Sequence, residues 1–151
     1  GLNLIAVKDL IPGVAATAVE INSSAISKLK MIDDVKVIHG SILESNKIEM
    51  YDLAMVIGVL IHIAPKYLPL AYENIYRATR RYILIGEYYS RQPEEVLYRG
   101  YKNKLFKRDF AGEMLDKYTD LRLVDYGFFY HKDESSKLDD ITWFLMEKAD
   151  I

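Results

Sequence analysis

The sequence predicts an α/β fold in which helices cover both faces of a doubly wound, mostly parallel sheet. Short apolar segments without polar alternation, such as 14–19 and 53–57, are typical of strands buried on both faces. A segment with helical spacing of apolar residues, 65–76, stands between such strands, as a parallel sheet requires. The last two apolar segments, 121–130 and 141–147, are joined by a polar loop alone and should pair antiparallel.

Turn and cap residues set the limits of the individual elements. Pro12-Gly13 ends the first helix, because proline cannot continue a helix and glycine favours a turn. Asn22 or Ser23 is expected to cap the second helix, and Asp109 the last one. In chain order we expect a helix at 2–10, a strand at 14–19, a helix from 23, strands at 35–39 and 53–57, a helix from 65, a strand at 82–85, a helix to 118, and strands at 121–130 and 141–147.

The chain opens on a helical pattern, although a helix in this kind of fold normally follows a strand. In the doubly wound order that first strand is central, beside the point where the strand order reverses. A sheet without its central strand would expose two unpaired edges. We therefore expect the first strand and most of a glycine-rich loop to precede Gly1, or another segment to fill the gap.

Length and composition exclude several classes of protein. With 151 residues, of which 50% are hydrophobic and 28% charged, the sequence predicts one globular domain over 1–151. A net charge of −2 argues against nucleic-acid binding. No apolar run reaches the length of a membrane span, and no secretory leader is recognisable. The lack of cysteine excludes disulfides and thiolate chemistry and fits a cytoplasmic protein, while the oligomeric state cannot be predicted.

Strand-end residues in the first part of the chain predict a nucleotide-type cofactor site. Glu20 ends its strand about 20 residues after Gly1, the spacing at which an acid binds a ribose in dinucleotide sites. The alternative is an acid that is solvated or caps the next helix. Gly1 would end the glycine loop, where backbone N–H groups approach a ligand. The residues expected to contact the cofactor are Gly1, Glu20, Ile21, Ser41, Ile42 and Gly58.

Two later turns complete this predicted cofactor site. Ser41 and Ile42 follow the strand 35–39 and could hold an adenine through a polar side chain and an apolar face. A plain tight turn is the alternative at this position. Gly58 follows the strand 53–57 at its carboxyl end, where ligands bind in open α/β sheets.

Candidate catalytic residues follow the later strands. His62 could act as a base because imidazole titrates near neutrality, although an apolar setting is also typical of a core histidine. Tyr88 and Tyr89 follow the strand 82–85 together with Glu87, and His131 follows 121–130. Strand direction should bring these residues to the edge that carries Glu20; a rim of exposed loop ends is the alternative. The three histidines lack metal-ligand spacing, so no metal is expected.

The stretch 88–108 is rich in tyrosine and charge, and we expect it to form an irregular, lid-like insert. Cations beside aromatic rings could hold a phosphorylated or carboxylated sugar through charge-assisted hydrogen bonds and stacking. A charged surface loop is the alternative. The residues concerned are Arg91, Tyr98, Arg99, Tyr101, Lys102, Lys104, Phe106, Lys107 and Arg108.

Several strings of the sequence resemble a known family. The segments VAATAVEIN, VIHGSIL, DLAMVIGVLIHI and YILIGEYYS resemble the successive motifs of class I S-adenosylmethionine-dependent methyltransferases. More closely, GVLIHI, YILIGEYY, YRG, KLFKRDFAGEMLDKY, LVDYGFFYHKD and DDITWFLMEK resemble the methylases associated with pseudaminic acid biosynthesis. The resemblance covers essentially the whole chain, except that the acidic strand and most of the glycine loop of the family pattern are absent before Gly1.

The resemblance implies a Rossmann-like sheet of seven strands with an antiparallel last strand. It places Glu20 on the ribose of S-adenosylmethionine, Ser41-Ile42 at the adenine and Gly58 near the methionine moiety. It also implies methyl transfer to a sugar or nucleotide-sugar of surface polysaccharide biosynthesis, with the insert on the substrate side. Two alternatives remain: an NAD-dependent sugar-modifying oxidoreductase or epimerase, and a non-catalytic fragment or binding module.

Overall fold

The computed structural model of the chain describes residues 1–44, 49–135 and 138–149. The chain divides into two compact units, Gly1–Lys47 and Ile48–Ile151, and each is described by itself. A single domain over 1–151 therefore stays a prediction. Residues 136 and 137 of the predicted polar loop lie outside the described residues. Within the described ranges, no helix is both long and apolar enough to cross a membrane.

The amino-terminal unit is built from two helices and two parallel strands. Its elements are α1 (Leu2–Leu10), β1 (Ala16–Glu20), α2 (Ser23–Leu29) and β2 (Val35–His39). The strands pair in register from Ala16 opposite Val35 to Glu20 opposite His39. The carboxyl ends of both strands therefore lie side by side, and the N–H of Gly40 continues the pairing by donating to the Glu20 carbonyl at 3.0 Å.

Local hydrogen bonds explain the limits of these elements. The Asn22 side chain accepts hydrogen bonds from the N–H groups of Ser24 and Ala25, which confirms it as the cap of α2. The first strand begins two residues later than the sequence predicts. The reason is that the N–H of Val14 is held in the turn after α1, where it donates to the Ile11 carbonyl at 3.1 Å.

The carboxyl-terminal unit contains a mixed four-stranded sheet, two α-helices and a separate β-hairpin. Its elements are β3 (Tyr51–Ile57), 3₁₀ helices at Leu60–His62 and Pro65–Tyr67, α3 (Leu68–Arg77), β4 (Thr79–Glu87), β5 (Glu94–Tyr98), β6 (Tyr101–Lys107), α4 (Phe110–Lys117), β7 (Leu121–Phe129) and β8 (Ile141–Lys148). The sheet order is β3-β4-β8-β7. Strand β4 is parallel to β3 and antiparallel to β8, which is antiparallel to β7, so β8 alone among the four is reversed. The antiparallel pairing of the last two strands is thus confirmed.

The core of this unit lies between the sheet and its helices. Ile83 and Ile85 of β4 and Met146 of β8 are fully buried. Helix α3 packs on β4 and α4 packs on β4 and β7, each with a buried apolar stripe. Trp143 of β8 lies against Gly127 of β7, where an added Cβ would come within 2.6 Å of the indole nitrogen.

The expectation of irregular chain over 88–108 is wrong for residues 94–107, which form the β5–β6 hairpin, whereas 88–93 contain no helix or strand. Arg99 and Gly100 join the two strands, with φ angles of 50° and 83°. Two left-handed residues in a two-residue loop match the twist of the flanking strands. A register shift between Val96 and Tyr98 interrupts the alternation of side chains, which conceals the strands in the sequence.

Candidate functional site

In the amino-terminal unit, the strand ends bring Glu20 next to the turn after β2. The Glu20 carboxylate accepts a hydrogen bond from the N–H of Asn22 at 2.7 Å through one of its oxygens. A carboxylate has about four acceptor positions, so this contact leaves capacity for further donors. The side chain is half-buried. The hydrogen bond from Asn22 at the start of α2 therefore orients the Glu20 carboxylate, which can still accept hydrogen bonds from a hydroxyl group.

The other cofactor candidates of this unit lie around the same strand ends or at the start of α1. Ser41 accepts the N–H of Leu43 at 3.1 Å through its side chain, so it forms a tight turn as the plainer interpretation expected. Ile21 is 69% exposed directly after Glu20, and Ile42 is half-buried in the turn. Gly1 caps α1, with its carbonyl accepting the N–H of Leu4 and that of the following residue.

In the carboxyl-terminal unit, Gly58 carries the chain away from the end of β3. Its N–H donates to the Gly86 carbonyl on β4 at 2.9 Å. Its φ angle of +67° lies in the left-handed region, and a Cβ added there would meet nothing within 4 Å. The backbone at Gly58 therefore turns sharply in open space, a geometry that favours glycine and leaves room for a ligand.

Glu87 lies at the end of β4, and its side chain is directed at the turn after β3. It is only 3% exposed. One carboxylate oxygen accepts the N–H groups of Val59 and Leu60 at 2.9 and 2.8 Å, and the other accepts the N–H of Ile61 at 3.4 Å. A carboxyl group from one strand thus binds the first turn of the 3₁₀ helix Leu60–His62, which follows the neighbouring strand.

The electrostatics of Glu87 are unusual because no salt bridge joins it to a cation within the described part of the chain. Burial raises its pKa from the ordinary value of 4.5 to about 7, against the lowering effect of the backbone N–H groups of Leu60 and its neighbours. A carboxyl group that titrates near neutrality is typical of a functional site.

His62 ends this 3₁₀ helix and contacts the hairpin. Its Nδ1 lies 2.8 Å from the Lys104 carbonyl oxygen. Because a carbonyl can only accept, Nδ1 carries the hydrogen, and in the neutral form of the ring the free lone pair is therefore on Nε2. The ring also lies against Tyr98, with centroids 5.3 Å apart. His62 is exposed rather than a buried core histidine, so Nε2 is available for proton transfer.

Tyr88 and Tyr89 continue from β4 along the same edge of the sheet. The Tyr88 hydroxyl donates to Asp139 at 2.8 Å, and burial together with this bond raises its pKa to about 12. The ring of Tyr89 lies 5.9 Å from that of Phe144 and lines a narrow crevice together with Glu87 and Arg108. Tyr88 is therefore a neutral hydrogen-bonding group, and Tyr89 is an aromatic wall.

His131 lies just beyond β7 and pairs with Asp140, just before β8. Its Nδ1 is 2.8 and 2.9 Å from the two Asp140 oxygens, and its N–H binds the same carboxylate. This arrangement orients the imidazole with Nε2 on the side of the ring away from Asp140, as in catalytic His–Asp pairs. In contrast to Glu87, both partners are about half exposed.

The structure thus brings the unit's candidates Gly58, His62, Tyr88, Tyr89 and His131 to one edge of the sheet. Strand register requires this placement, since Ile57 pairs with Gly86 and Glu87 pairs with Thr142. Glu20 belongs to the other unit, so its position beside this edge stays a prediction. Among the described residues, no group of three or more His, Asp or Glu side chains could hold a metal ion.

No protein-family model matches this chain, and no curated protein sequence matches it. Solved structures do. One is 1,6-didemethyltoxoflavin-N1-methyltransferase of Burkholderia thailandensis with bound 1,6-didemethyltoxoflavin and S-adenosylhomocysteine: TM-score 0.73, 16% identity, 96% of this chain and 66% of that chain. Another is the N-methyltransferase NodS of Bradyrhizobium japonicum in complex with S-adenosylhomocysteine: TM-score 0.69, 15% identity, 95% and 72%.

A third match is a SAM-dependent methyltransferase of Leishmania major, with a TM-score of 0.64, 15% identity and coverage of 87% of this chain and 55% of that one. The chain has a Rossmann-like fold. This chain spans 66% of the length of the Burkholderia thailandensis protein and 55% of the length of the Leishmania major protein. At such low identities the likeness establishes the fold alone, and the narrower resemblance to pseudaminic acid methylases stays a prediction.

Glu87 is the site residue whose role sequence reasoning missed. It stands at the predicted edge after the apolar segment 82–85 and a glycine, which is a recognisable signal. Its partners, however, are 26 to 28 residues earlier in the chain. Only the register between β3 and β4 brings them together, so the sequence alone could not assign them.

Proposed function

We propose that this chain is part of a methyltransferase that uses S-adenosylmethionine to methylate a small molecule. The supporting observation is the edge formed by Gly58, Glu87 and His62 in a fold shared with proteins whose structures contain S-adenosylhomocysteine. A group-transfer site is expected at the carboxyl ends of strands. This one has an open turn at Gly58, a 3₁₀ helix whose first N–H groups are bound by Glu87, and an imidazole whose Nε2 is not used by the Lys104 contact.

In this proposal the cofactor is held mainly by hydrogen bonds and apolar contact. Glu20 accepts from the ribose hydroxyls, Ser41 and Ile42 contact the adenine together with Ile21, and Gly58 and Gly1 let backbone approach the ligand. When bound, S-adenosylmethionine supplies an electrophilic methyl group on a sulfonium. The protein then has to align the acceptor and exclude competing geometries.

His62 is the first candidate for the general base. Its Nε2 can take a proton from an acceptor hydroxyl or ammonium group while Nδ1–H stays bound to the Lys104 carbonyl. His131 is the second candidate, oriented by Asp140. Tyr88 and Tyr89 would orient the acceptor, Tyr88 by its hydroxyl and Tyr89 by its ring.

We further propose an anionic sugar or nucleotide-sugar as the acceptor, in keeping with the pseudaminic acid resemblance. Residues 91–108 carry six cationic side chains and two carboxylates, a net charge of +4 in a chain whose net charge is −2. Tyr101 is 67% exposed on this hairpin, and Arg99 lies 5.2 Å from the centre of the Tyr98 ring. Such a surface can bind a carboxylate or phosphate and stack on a sugar.

Ligand-dependent thermal unfolding tests the cofactor proposal. S-adenosylhomocysteine should raise the unfolding temperature of the chain, whereas NAD should not, because binding to the folded state alone stabilises it. Glu20→Gln should weaken this effect by removing the charged acceptor of the ribose hydroxyls. Asp9→Asn, on the exposed side of α1, is the matched control and should behave as the wild type.

The possible outcomes separate the three candidate functions. Stabilisation by NAD instead would support the oxidoreductase alternative and overturn the proposal. Stabilisation by neither ligand would support a non-catalytic fragment or binding module. Transfer of a labelled methyl group to an anionic sugar, and not to its neutral analogue, would establish the acceptor class.

A further inference from the structure

We propose that Glu87 is a positioning residue for His62, acting through the turn that joins β3 to the 3₁₀ helix Leu60–His62. This inference rests on the proposed function in that it assigns a use to His62. Glu87 contacts no reacting group in this proposal. It fixes the backbone from which the imidazole projects.

The hydrogen bonds of Glu87 leave the turn little freedom. Its carboxylate gathers three consecutive N–H groups, those of Val59, Leu60 and Ile61. The first N–H groups of a helical turn lack partners within the turn itself. Here the partner is a side chain from the neighbouring strand, and it is buried beside them. The start of the 3₁₀ helix is therefore fixed by β4 rather than by its own sequence.

His62 is the next residue in this series of contacts. The N–H of His62 donates to the Val59 carbonyl at 3.0 Å, so its backbone is set by a residue that Glu87 holds. Its ring then reaches the hairpin, where Nδ1–H binds the Lys104 carbonyl. Because that bond fixes the tautomer with Nε2 free, a displaced turn would lose both the position and the tautomer of His62.

A purely structural role explains the arrangement less well. Burying a carboxyl group without a cation is unfavourable, as the raised pKa of Glu87 shows. An apolar side chain would fill the same space without this cost but could not bind the three N–H groups. Unfavourable groups that persist in a well-packed setting are typical of functional sites. The positioning of His62 is a function that accounts for the buried carboxyl group of Glu87.

Two substitutions and one matched control test the inference. Glu87→Gln keeps an oxygen that can accept the two short bonds from Val59 and Leu60. Glu87→Leu removes every acceptor while filling the space. Glu147→Gln changes another buried glutamate, on β8, whose partners are Arg81 and Arg122. Thermal unfolding of each variant establishes that it is folded, and Glu87→Gln keeps the test decisive if Glu87→Leu does not fold.

The first readout is the ring nitrogen spectrum of His62 by NMR above neutral pH, where Glu87 is ionised. We expect the wild type to show Nδ1 protonated and Nε2 free. Glu87→Leu should show a mixed tautomer, Glu87→Gln a smaller change, and Glu147→Gln none. With only three histidines in the chain, His62→Ala assigns the signals. An unchanged His62 spectrum in Glu87→Leu, or in Glu87→Gln where the former does not fold, would overturn the inference.

The second readout is methyl transfer at saturating acceptor. Glu87→Leu should lower kcat by about tenfold or more with a smaller change in KM, because displacement of a base by about 1 Å is costly to rate. Glu87→Gln should restore most of the activity. A wild-type kcat in Glu87→Leu would overturn the inference. Failure of the wild type to transfer methyl would instead defeat the proposed function, and the NMR readout would still decide the role of Glu87.

Discussion

The two ends of the four-stranded sheet each bury a glutamate, and they treat it in opposite ways. At one end Glu147 of β8 binds Arg81 and Arg122 at 2.8 and 2.7 Å, and hydrogen bonds from Arg122 and Arg81 lower its pKa to about 2. At the other end Glu87 of β4 binds backbone N–H groups, and burial raises its pKa to about 7. The two strands are direct neighbours, so the difference comes from the partners and not from the sheet.

Further contacts strengthen the end that carries Glu147. Lys148 donates to the carbonyls of Tyr76 and Thr79, and its ammonium lies 3.6 Å from the Tyr76 ring centre. The Tyr76 hydroxyl donates to Asp120 at 2.6 Å, and its ring stacks on Tyr118 at 3.9 Å. These bonds hold the end of α3 on the sheet. One end of the sheet is therefore built for stability, while the other carries Glu87, whose pKa is about 7, and the exposed imidazole of His62.

Of the substitutions that test the contrast between the two ends of the sheet, those of the histidines should have the largest effect, a loss of catalysis. His62→Ala should lower methyl-transfer kcat by about 10² to 10⁴, the usual contribution of a general base. His131→Ala should have a smaller effect, because its Nε2 is the second candidate. Arg122→Lys, at the opposite end of the sheet, is the control and should retain wild-type kcat. Full turnover in both histidine variants would mean that the base is another group or that none is needed.

The next effect concerns stability and pH at Glu87. Its folded pKa is raised above the ordinary value, so the stability it contributes is greatest below pH 4.5 and is lost as pH rises through about 7. The shift corresponds to about 3 kcal/mol over this window. Glu87→Gln cannot titrate and should remove this slope, as urea unfolding at a series of pH values would measure. Equal slopes in the two proteins would contradict the assigned titration.

Glu147 should show the opposite pH dependence. Its pKa is lowered from 4.5 to about 2, so its contribution is present above pH 4.5 and is lost as pH falls towards 2. Glu147→Gln should therefore flatten the acid limb of the stability curve and leave the region from pH 4.5 to 7 unchanged. If both substitutions altered the same pH range, the contrast between the two ends would be wrong.

The smallest effect is expected for substitutions of Gly58 and Gly100, which together distinguish the cost of backbone strain from the loss of ligand binding. Gly58 and Gly100 both have positive φ angles, 67° and 83°, and open space around an added Cβ. Either change to alanine should cost about 1 kcal/mol of unfolding free energy through backbone strain. Calorimetry should show weaker S-adenosylhomocysteine binding for Gly58→Ala alone. Equal affinities in the two variants would remove Gly58 from the proposed cofactor site.

The sequence predicts best those features that depend on neighbours along the chain. The caps Asn22 and Asp109 bind N–H groups two or three residues ahead, and both are confirmed. The strands β1 and β3 are recognisable from their apolar runs, but the expectation that both faces are buried is wrong, because Val19 is 37% and Leu53 39% exposed and Val56 alone of these two strands is buried. Pro65 was expected to begin a helix, yet it begins a 3₁₀ turn, and α3 starts only at Leu68. The type of element was easier to predict than its limits.

Features that depend on register escaped sequence analysis. The β5–β6 hairpin was missed because its register shift breaks the alternation that identifies strands, although Arg99-Gly100 is a recognisable turn. The partners of Glu87 depend on the pairing of β3 with β4. The contact of His62 with Lys104 spans 42 residues. The site's residues could thus be located at strand ends, but their hydrogen-bond partners could not.

The contact between Trp143 and Gly127 gives the chain an internal optical probe. Trp143 is the single tryptophan, and it lies next to Thr142, the residue opposite Glu87 in the sheet. Excitation at the red edge of the indole band avoids the twelve tyrosines and reports on the surroundings of Trp143, which pairs with Gly127 of β7 and with Gly86 of β4. Fluorescence of the unaltered protein can therefore follow separation of β8 from these neighbouring strands, close to the proposed catalytic edge and without an attached label.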